Sequence, residues 1–230
     1  MNKKSLFKRL LIRCLNSFNL QIKQTQFISD IEYLYLLWIV KIFYQSIKVP
    51  GHILEIGVAK GRNSILFGKL LELTAEKWTR KYYGFDTFKG YPDDVKIANP
   101  WLNLNAWTSD SCRKKNVLKR IRISGLEKHC ELIQGDCRQT LKTFLENYSD
   151  ERINKGHAVV SLLYIDCNSY SAAIESMQLV YPYITPGGFI VIDEKRQGGE
   201  SKALIDFAKL QKVEIKHDIL GCPAYLKKPI

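Results

Sequence analysis

No stretch of this 230-residue chain holds twenty consecutive apolar residues. The longest apolar run, 33–44, is twelve positions and is interrupted by Lys41. A helix that crosses a bilayer needs about 20 apolar residues, so this run reads as a buried helix. The six cysteines (Cys14, Cys112, Cys130, Cys137, Cys167 and Cys222) include no C-x-x-C pair. That excludes the usual zinc spacings and a compact disulfide frame, and it suits a reducing, cytosolic setting. No G-x-G-x-x-G and no Gly-Lys-Ser/Thr is present, so the signatures of a dinucleotide and of a nucleoside triphosphate are both missing. The basic N-terminus lacks a small-residue cleavage site, and Arg9 and Arg13 break its apolar positions, which argues against a signal peptide. There is no internal repeat and no low-complexity tract.

Acids are missing from two segments. Residues 1–23 hold six basic residues (Lys3, Lys4, Lys8, Arg9, Arg13, Lys23) and no acid, and residues 113–122 hold six more (Arg113, Lys114, Lys115, Lys119, Arg120, Arg122) and no acid. The chain has 35 Lys and Arg against 23 Asp and Glu, so these two segments account for the whole net charge of +12. A surplus this local does not make a general polyanion coat. A composition of 46% hydrophobic and 25% charged residues is that of a globular protein, and the length fits one α/β domain with a short extension.

Apolar positions at helical spacing over 4–18 predict a basic amphipathic helix. A second, more buried helix is expected over 30–46, ended by Pro50-Gly51. From there short apolar runs alternate with helical stretches. Strands are expected at 52–57 (HILEIG), 82–86 (YYGFD), 130–134 (CELIQ), 159–166 (VVSLLYID) and 188–193 (GFIVID). Helices are expected at 62–73, 112–124, 138–147, after the 159–166 strand to about 180, and near 202–210. Segments 213–217 and 224–227 are expected to form a terminal antiparallel pair. This alternation predicts an α/β fold with a doubly wound, mostly parallel seven-stranded sheet. The expected organisation is an N-terminal helical extension over 1–50 and a catalytic domain over 51–230.

In such sheets ligands bind beyond the carboxyl ends of the strands. The first strand ends in Glu55-Ile56-Gly57-Val58-Ala59-Lys60-Gly61. This is either a plain strand-to-helix turn or a turn that lets a ligand approach the backbone. The second strand ends in Asp86, which either accepts hydrogen bonds from a ribose diol or caps a turn with Thr87 and Gly90. The third ends in Gly135-Asp136, where the carboxylate either receives an exocyclic amine or caps the next helix.

The segments EIGVAKG (55–61), GFDTFKGYP (84–92), QGDCRQTL (134–141), YIDCNSY (164–170) and YITPGGFIVIDE (183–194), in this order, resemble the class I S-adenosylmethionine-dependent methyltransferases. Within these they resemble the macrocin O-methyltransferase (TylF-type) family of sugar O-methyltransferases, over about residues 30–225. The resemblance implies a Rossmann-like methyltransferase fold with S-adenosylmethionine as cofactor. It implies that Glu55, Gly57 and Gly61 border the methionine part, that Asp86 holds the ribose and that Asp136 lies near the adenine, with Ser64 and Thr87 also among the cofactor-binding residues. It also implies a divalent metal, usually Mg²⁺, held by Asp166, Asp193 and Glu194. The residue types support the metal independently. Asp166 ends the fourth strand and Asp193-Glu194 end the fifth, so three carboxylates crowd one rim and repel one another unless a cation intervenes. Hard oxygen ligands suit Mg²⁺ and leave positions for a sugar diol. The alternative is that these acids cap helices or pair with Lys195 and Arg196.

The chain departs from the family pattern at one place. The family often has D-x-D, whose second Asp is a candidate base, whereas this chain has Asp166-Cys167-Asn168. Asn168 can position the acceptor hydroxyl but cannot take its proton. Asp166 and Asn168 are the candidate catalytic residues. The four histidines (His52, His129, His157, His217) fall at no strand's carboxyl end. The 91–107 connection, with Tyr91, Trp101 and Trp107, has the length and aromatic content of a segment that covers a site. The expected function is metal-assisted O-methylation of a sugar hydroxyl on a surface glycan, a nucleotide-sugar or a glycosylated natural product. The competing reading is a catalytically impaired scaffold of the same fold at a membrane surface. The 1–23 segment either lies on an anionic inner-membrane surface or packs against the body or a second copy in a homo-oligomer. The 113–122 cluster reads as the solvated face of a helix, not a nucleic-acid site.

Overall fold

The computed structural model describes residues 30–92, 95, 107, 110–148, 160–194, 198–217 and 223–230, with side chains from residue 34 onward. The chain divides into two compact units, Met1–Tyr35 and Leu36–Ile230. Of the first, only residues 30–35 are described, so the helix expected over 4–18 lies outside the described residues. In the second unit the elements alternate as the sequence pattern requires. After α1 (Asp30–Ser46) come β1 (His52–Ile56), α2 (Arg62–Leu73), β2 (Tyr82–Asp86), α3 (Lys114–Ile123), β3 (Cys130–Gln134) and α4 (Cys137–Tyr148). They are followed by β4 (Val160–Ile165), α5 (Tyr170–Val180), β5 (Ile184–Ile192), α6 (Gly199–Gln211), β6 (Ile215–Lys216) and β7 (Tyr225–Lys227).

The seven strands form one sheet in the order β3-β2-β1-β4-β5-β7-β6. The first five are parallel, and β7 pairs antiparallel with both β5 and β6. The strands are near-continuous apolar runs because both faces of the sheet are covered. Leu54, Ile56, Phe85, Leu163, Ile165, Ile190 and Ile192 share one core with Leu141 and Leu145 of α4, Ala173 and Met177 of α5, and Leu204 and Phe207 of α6. On the opposite face Phe67 of α2 meets the rings of Phe43, Tyr82 and Tyr164 at centroid distances of 6.4, 6.2 and 5.8 Å. Burial of each such side chain stabilises the fold by about 1.5–3 kcal/mol.

Two boundaries differ from the expectation by three residues or more. β5 begins at Ile184, not 188, although Pro186-Gly187-Gly188 reads as a turn. Its register against β4 shifts between Val160 and Leu162, so the Pro-Gly-Gly segment is absorbed as a local irregularity inside a longer strand. Helix α6 begins at Gly199, three residues before the apolar period becomes visible at 202.

The topology determines where chemistry can occur. From β1 the chain proceeds to β2 on one side, and later enters β4 on the other, so a crevice opens between the ends of β1 and β4. Register brings the carboxyl ends level. Asp166 N donates to Ile56 O at 2.7 Å, Asp193 N to Ile165 O at 2.8 Å, Gly57 N to Phe85 O at 2.8 Å and Gly135 N to Asp86 O at 2.9 Å. Among the described residues no helix is long and apolar enough to cross a membrane.

Candidate active site

The turn after β1 is built around a close approach. Gly57 has φ of 92°, and a Cβ there would lie 1.8 Å from the carbonyl oxygen of Asp166. Only glycine lets the β1 end lie against the β4 end in this way. The turn is held by Asp86, whose Oδ2 accepts from Val58 N and Ala59 N, both at 2.8 Å, while Oδ1 accepts from Phe88 N at 2.6 Å. Gly61 N donates to Val58 O at 2.8 Å and Gly57 N to Phe85 O. The N–H groups of Gly57, Val58, Ala59 and Gly61 are therefore all engaged inside the protein. About four acceptor positions exist on a carboxylate, so Asp86 retains one, on Oδ1.

A cleft opens at this rim, lined by Gly57, Asp86, Thr87, Gly135, Asp136, Arg138, Asp166 and Asn168, with Tyr91, Pro92, Val95, Trp107 and Cys112 closing the far side. The structure thus brings Gly57, Asp86, Thr87, Asp136, Asp166 and Asn168 together. Thr87 shapes the wall locally, its Oγ1 donating to Gly90 O at 2.5 Å and accepting from Lys89 N at 3.2 Å. Asp136 is not a bare carboxylate. Arg138 binds it through Nε at 3.0 Å to each oxygen and through Nη2 at 2.5 Å, and the Arg138 N–H adds a helix-capping bond at 3.0 Å. The Arg138 hydrogen bonds hold the Asp136 carboxyl below its ordinary range. Trp101 lies outside the described residues, as do His157, Lys195 and Arg196. Among the described residues no histidine lines the cleft.

Glu55, Ser64 and Gly61 sit beneath the turn and do not line the cleft. Glu55 is fully buried; Oε1 accepts from Asn63 Nδ2 at 2.9 Å and Oε2 from the Tyr82 hydroxyl, which also meets Ser64 Oγ at 2.8 Å. Room for this network comes from Gly84, where a Cβ would lie 2.7 Å from the Tyr82 hydroxyl. Burial pushes the Glu55 carboxyl up to about 8, against the pull of its two hydrogen bonds. Gly61 starts α2 at φ 80°, packed on Val117 of α3.

On the other side of the crevice four carboxyls gather. Asp166 lines the cleft and accepts no hydrogen bond among the described residues. Asp193 Oδ1 accepts from the Tyr164 hydroxyl at 2.6 Å, and Glu194 Oε2 from Ser201 N at 2.9 Å. The fourth is Glu200, which the sequence pattern does not reveal because the expected start of this helix, at 202, lies three residues after its actual start at Gly199. The Gly198-Gly199-Glu200 step, whose acid lies six residues after Glu194, was the available signal. Glu200 is fully buried, and its Oε1 accepts from the N–H groups of Cys167 and Asn168, each at 2.5 Å. Its Oε2 is buried without a partner. Burial, then the charges of Asp193 and Glu200, push Asp166 well above the usual carboxylate range, and burial pushes Glu200 up too. The chemistry of this donor set fits a hard divalent cation, with unpartnered oxygens on Asp166 and Glu200. Among the described residues no three acids, histidines or cysteines stand as a ready-made metal group.

Asn168 turns into the left-handed region at φ 51°, and its Nδ2 donates to the Tyr91 hydroxyl at 3.1 Å. Burial, then the Asp166 charge, push the Tyr91 phenol up, so Tyr91 stays neutral. Ser169 follows as the N-cap of α5, accepting from Ala172 N at 3.3 Å.

A seven-stranded sheet of this order, with a glycine turn after β1 and an acid ending β2, defines a class I methyltransferase type of domain. Residues 54–194 match the family described as "Methyltransferase domain", and the chain belongs to that family. It is 26% identical over 156 residues to mycinamicin III 3''-O-methyltransferase of Micromonospora griseorubida, across 64% of this chain and 56% of that protein. The chain thus spans little more than half the length of this curated relative. The calicheamicin methyltransferase CalS11 superposes with a TM-score of 0.70 at 22% identity, covering 99% of this chain and 93% of that one. A second structure of CalS11 is described as a TDP-rhamnose 3'-O-methyltransferase. The O-methyltransferase NovP superposes with a TM-score of 0.70 at 20% identity, covering 85% and 79%. These likenesses establish the Rossmann-like methyltransferase fold.

Proposed function

We propose that this chain transfers a methyl group from S-adenosylmethionine to a hydroxyl of a sugar, assisted by a divalent cation. The observation that carries the reading is the rim itself. The glycine turn after β1 lies against Asp166, and the two flank one cleft between a ribose-type acid, Asp86, and an aromatic wall of Tyr91 and Trp107. With its N–H groups engaged, the turn suits a cofactor whose contact there carries no phosphate. Asp86 Oδ1 would accept from the ribose diol, with Thr87 beside it. Asp136, held by Arg138, would border the adenine. Glu55 and Ser64 would support the methionine end from beneath, through Tyr82 and Asn63.

S-adenosylmethionine, when bound, would supply an electrophilic methyl group: an oxygen–carbon bond would form as the sulfur–carbon bond breaks, and the hydroxyl proton would pass to solvent water. Asp166, Asp193 and Glu194 would hold the cation. Bound there, a hard divalent ion orients vicinal hydroxyls and lowers the pKa of the one that reacts. Asn168 and Tyr91, both neutral, would orient the acceptor by hydrogen bonds, and Trp107 would stack on the sugar ring. Acceptors are proposed among deoxysugar nucleotides and glycosylated natural products, by analogy with what the relatives are named for.

Calorimetry tests the cofactor. The account expects S-adenosylmethionine to bind one per chain and NAD not to bind. Binding of NAD with no binding of S-adenosylmethionine contradicts it. Binding of cofactor and metal with no turnover on any acceptor would favour the scaffold reading that Asn168 motivates.

A further inference from the structure

We propose that Arg138 is a positioning residue for the cofactor's base: it folds back on Asp136 and aims that carboxylate at the exocyclic amine of the adenine. This rests on the S-adenosylmethionine reading above and deepens it. The sheet runs in the order β3-β2-β1-β4. With the reacting groups at the ends of β1 and β4, and the ribose acid Asp86 at the end of β2, the base falls at the end of β3. Adjacent strands lie about 5 Å apart, so a nucleoside reaches from one strand end to the next. The ends of β2 and β3 are joined, since Gly135 N donates to Asp86 O at 2.9 Å and Gln134 Nε2 to Thr87 O at 3.4 Å. Gly135, Asp136 and Arg138 line the same cleft as Asp86 and Thr87.

A helix cap explains only part of what is seen at Asp136. This residue precedes α4, and its Oδ1 accepts from Arg138 N at 3.0 Å, as a capping acid does. A cap needs no more than that. Here the Arg138 side chain also returns to the same carboxylate, with Nε at 3.0 Å from each oxygen and Nη2 at 2.5 Å from Oδ2. A guanidinium fork bonded in this way fixes the direction of a carboxylate, which a point charge does not. Three N–H groups of one residue therefore hold both oxygens. A carboxylate offers about four acceptor positions, so one is left for a donor that arrives from the cleft. The Arg138 hydrogen bonds also hold the carboxyl below its ordinary range, which keeps it ionised and acceptor-only. Stability is not what the pair supplies. The two side chains are 23% and 25% exposed, and ion pairs that meet water contribute little to folding. An aimed acceptor-only group does discriminate between bases. An amine at its free position donates to it, whereas a carbonyl oxygen there is repelled.

The test is calorimetric titration of the whole chain with S-adenosylhomocysteine and with S-inosylhomocysteine, whose base carries a 6-oxo group in place of the amine. The two ligands share the ribose and the amino-acid end, so damage elsewhere in the cleft cancels in the ratio of their affinities. The proposal expects the wild-type chain to prefer S-adenosylhomocysteine at least tenfold. It expects that preference to fall at least threefold in Arg138→Ala, and to vanish in Asp136→Asn, where an amide can donate to the 6-oxo group. A preference in Arg138→Ala within threefold of wild type overturns the proposal, whatever happens to the separate affinities, and leaves Arg138 as a partner of the helix cap. Failure of Arg138→Ala to bind either ligand also overturns it, because the loss is then not confined to the base. A wild-type preference below tenfold, or one retained in Asp136→Asn, overturns the placement of the amine at Asp136. Binding of neither ligand by the wild-type chain overturns the cofactor reading itself, a result distinct from any change in the ratio.

Discussion

Glu55 carries a proton that the unfolded chain would release. Its carboxyl is pushed from 4.5 up to about 8 by burial. Below about pH 4.5 both states hold the proton. Between that pH and about 8 only the folded state does, so stability falls as pH rises through this window and levels off above it. Glu55→Gln keeps an acceptor for Asn63 and offers a donor to the Tyr82 oxygen, which can then donate to Ser64. The variant should unfold at a higher temperature than wild type at pH 8, with the gap narrowing toward pH 5, as scanning calorimetry at the two pH values will show. An equal gap at both would contradict the buried-acid account. Asp166 and Glu200 shift in the same direction, so part of the wild-type slope will persist. Asp193→Asn belongs to the same scale. Removing that charge should weaken Mn²⁺ binding, read by calorimetry, while S-adenosylmethionine affinity stays near wild type.

At the scale of elements, two packing decisions hold the site. Gly57→Ala sets a Cβ 1.8 Å from the Asp166 carbonyl in a backbone region with positive φ. It should cost about 3 kcal/mol or more and prise apart the β1 and β4 ends, so denaturant unfolding and S-adenosylmethionine binding should both be impaired. Phe67→Ala removes the ring that Phe43, Tyr82 and Tyr164 pack against, and should cost ~3–5 kcal/mol by the same measurement. The strands were legible because doubly covered parallel strands are short apolar runs closed by glycine or acid, and α1 and α2 were legible from their apolar period. The start of β5 was not, because Pro186-Gly187-Gly188 has turn composition and is carried in the sheet only by pairing with β4. Asp86 and Asp166 could be placed at the rim from sequence. What surrounds them could not, since Val58 and Ala59 reach Asp86, and Glu200 reaches the Cys167 and Asn168 N–H groups beside Asp166, through folding and not through spacing. Glu200 stayed hidden because its helix begins on glycines, ahead of any apolar period.

At the scale of the whole molecule the charge is divided. The surplus of +12 lies in two basic segments. One of them is α3, which presents Lys115, Lys119 and Arg122 to solvent and turns Val117 and Ile121 inward. The carboxyl rim of the sheet holds acids: Asp86, Asp136, Asp166, Asp193, Glu194 and Glu200. A cationic sulfonium and a divalent ion both meet attraction there. A ligand that binds only the folded state raises stability by about 2.7 kcal/mol at a hundredfold excess over its Kd, so millimolar MgCl₂ should raise the unfolding temperature of the wild-type chain and not that of Asp166→Asn.

The most direct measurement is transfer of a labelled methyl group from S-adenosylmethionine to a panel of sugar acceptors, TDP-rhamnose among them, with Mg²⁺ and again with EDTA. The account predicts label on a sugar oxygen, dependent on Mg²⁺ and abolished in Asp166→Asn. Transfer at the same rate in EDTA would contradict the metal-assisted mechanism, and label delivered to nitrogen or carbon would contradict the reaction itself.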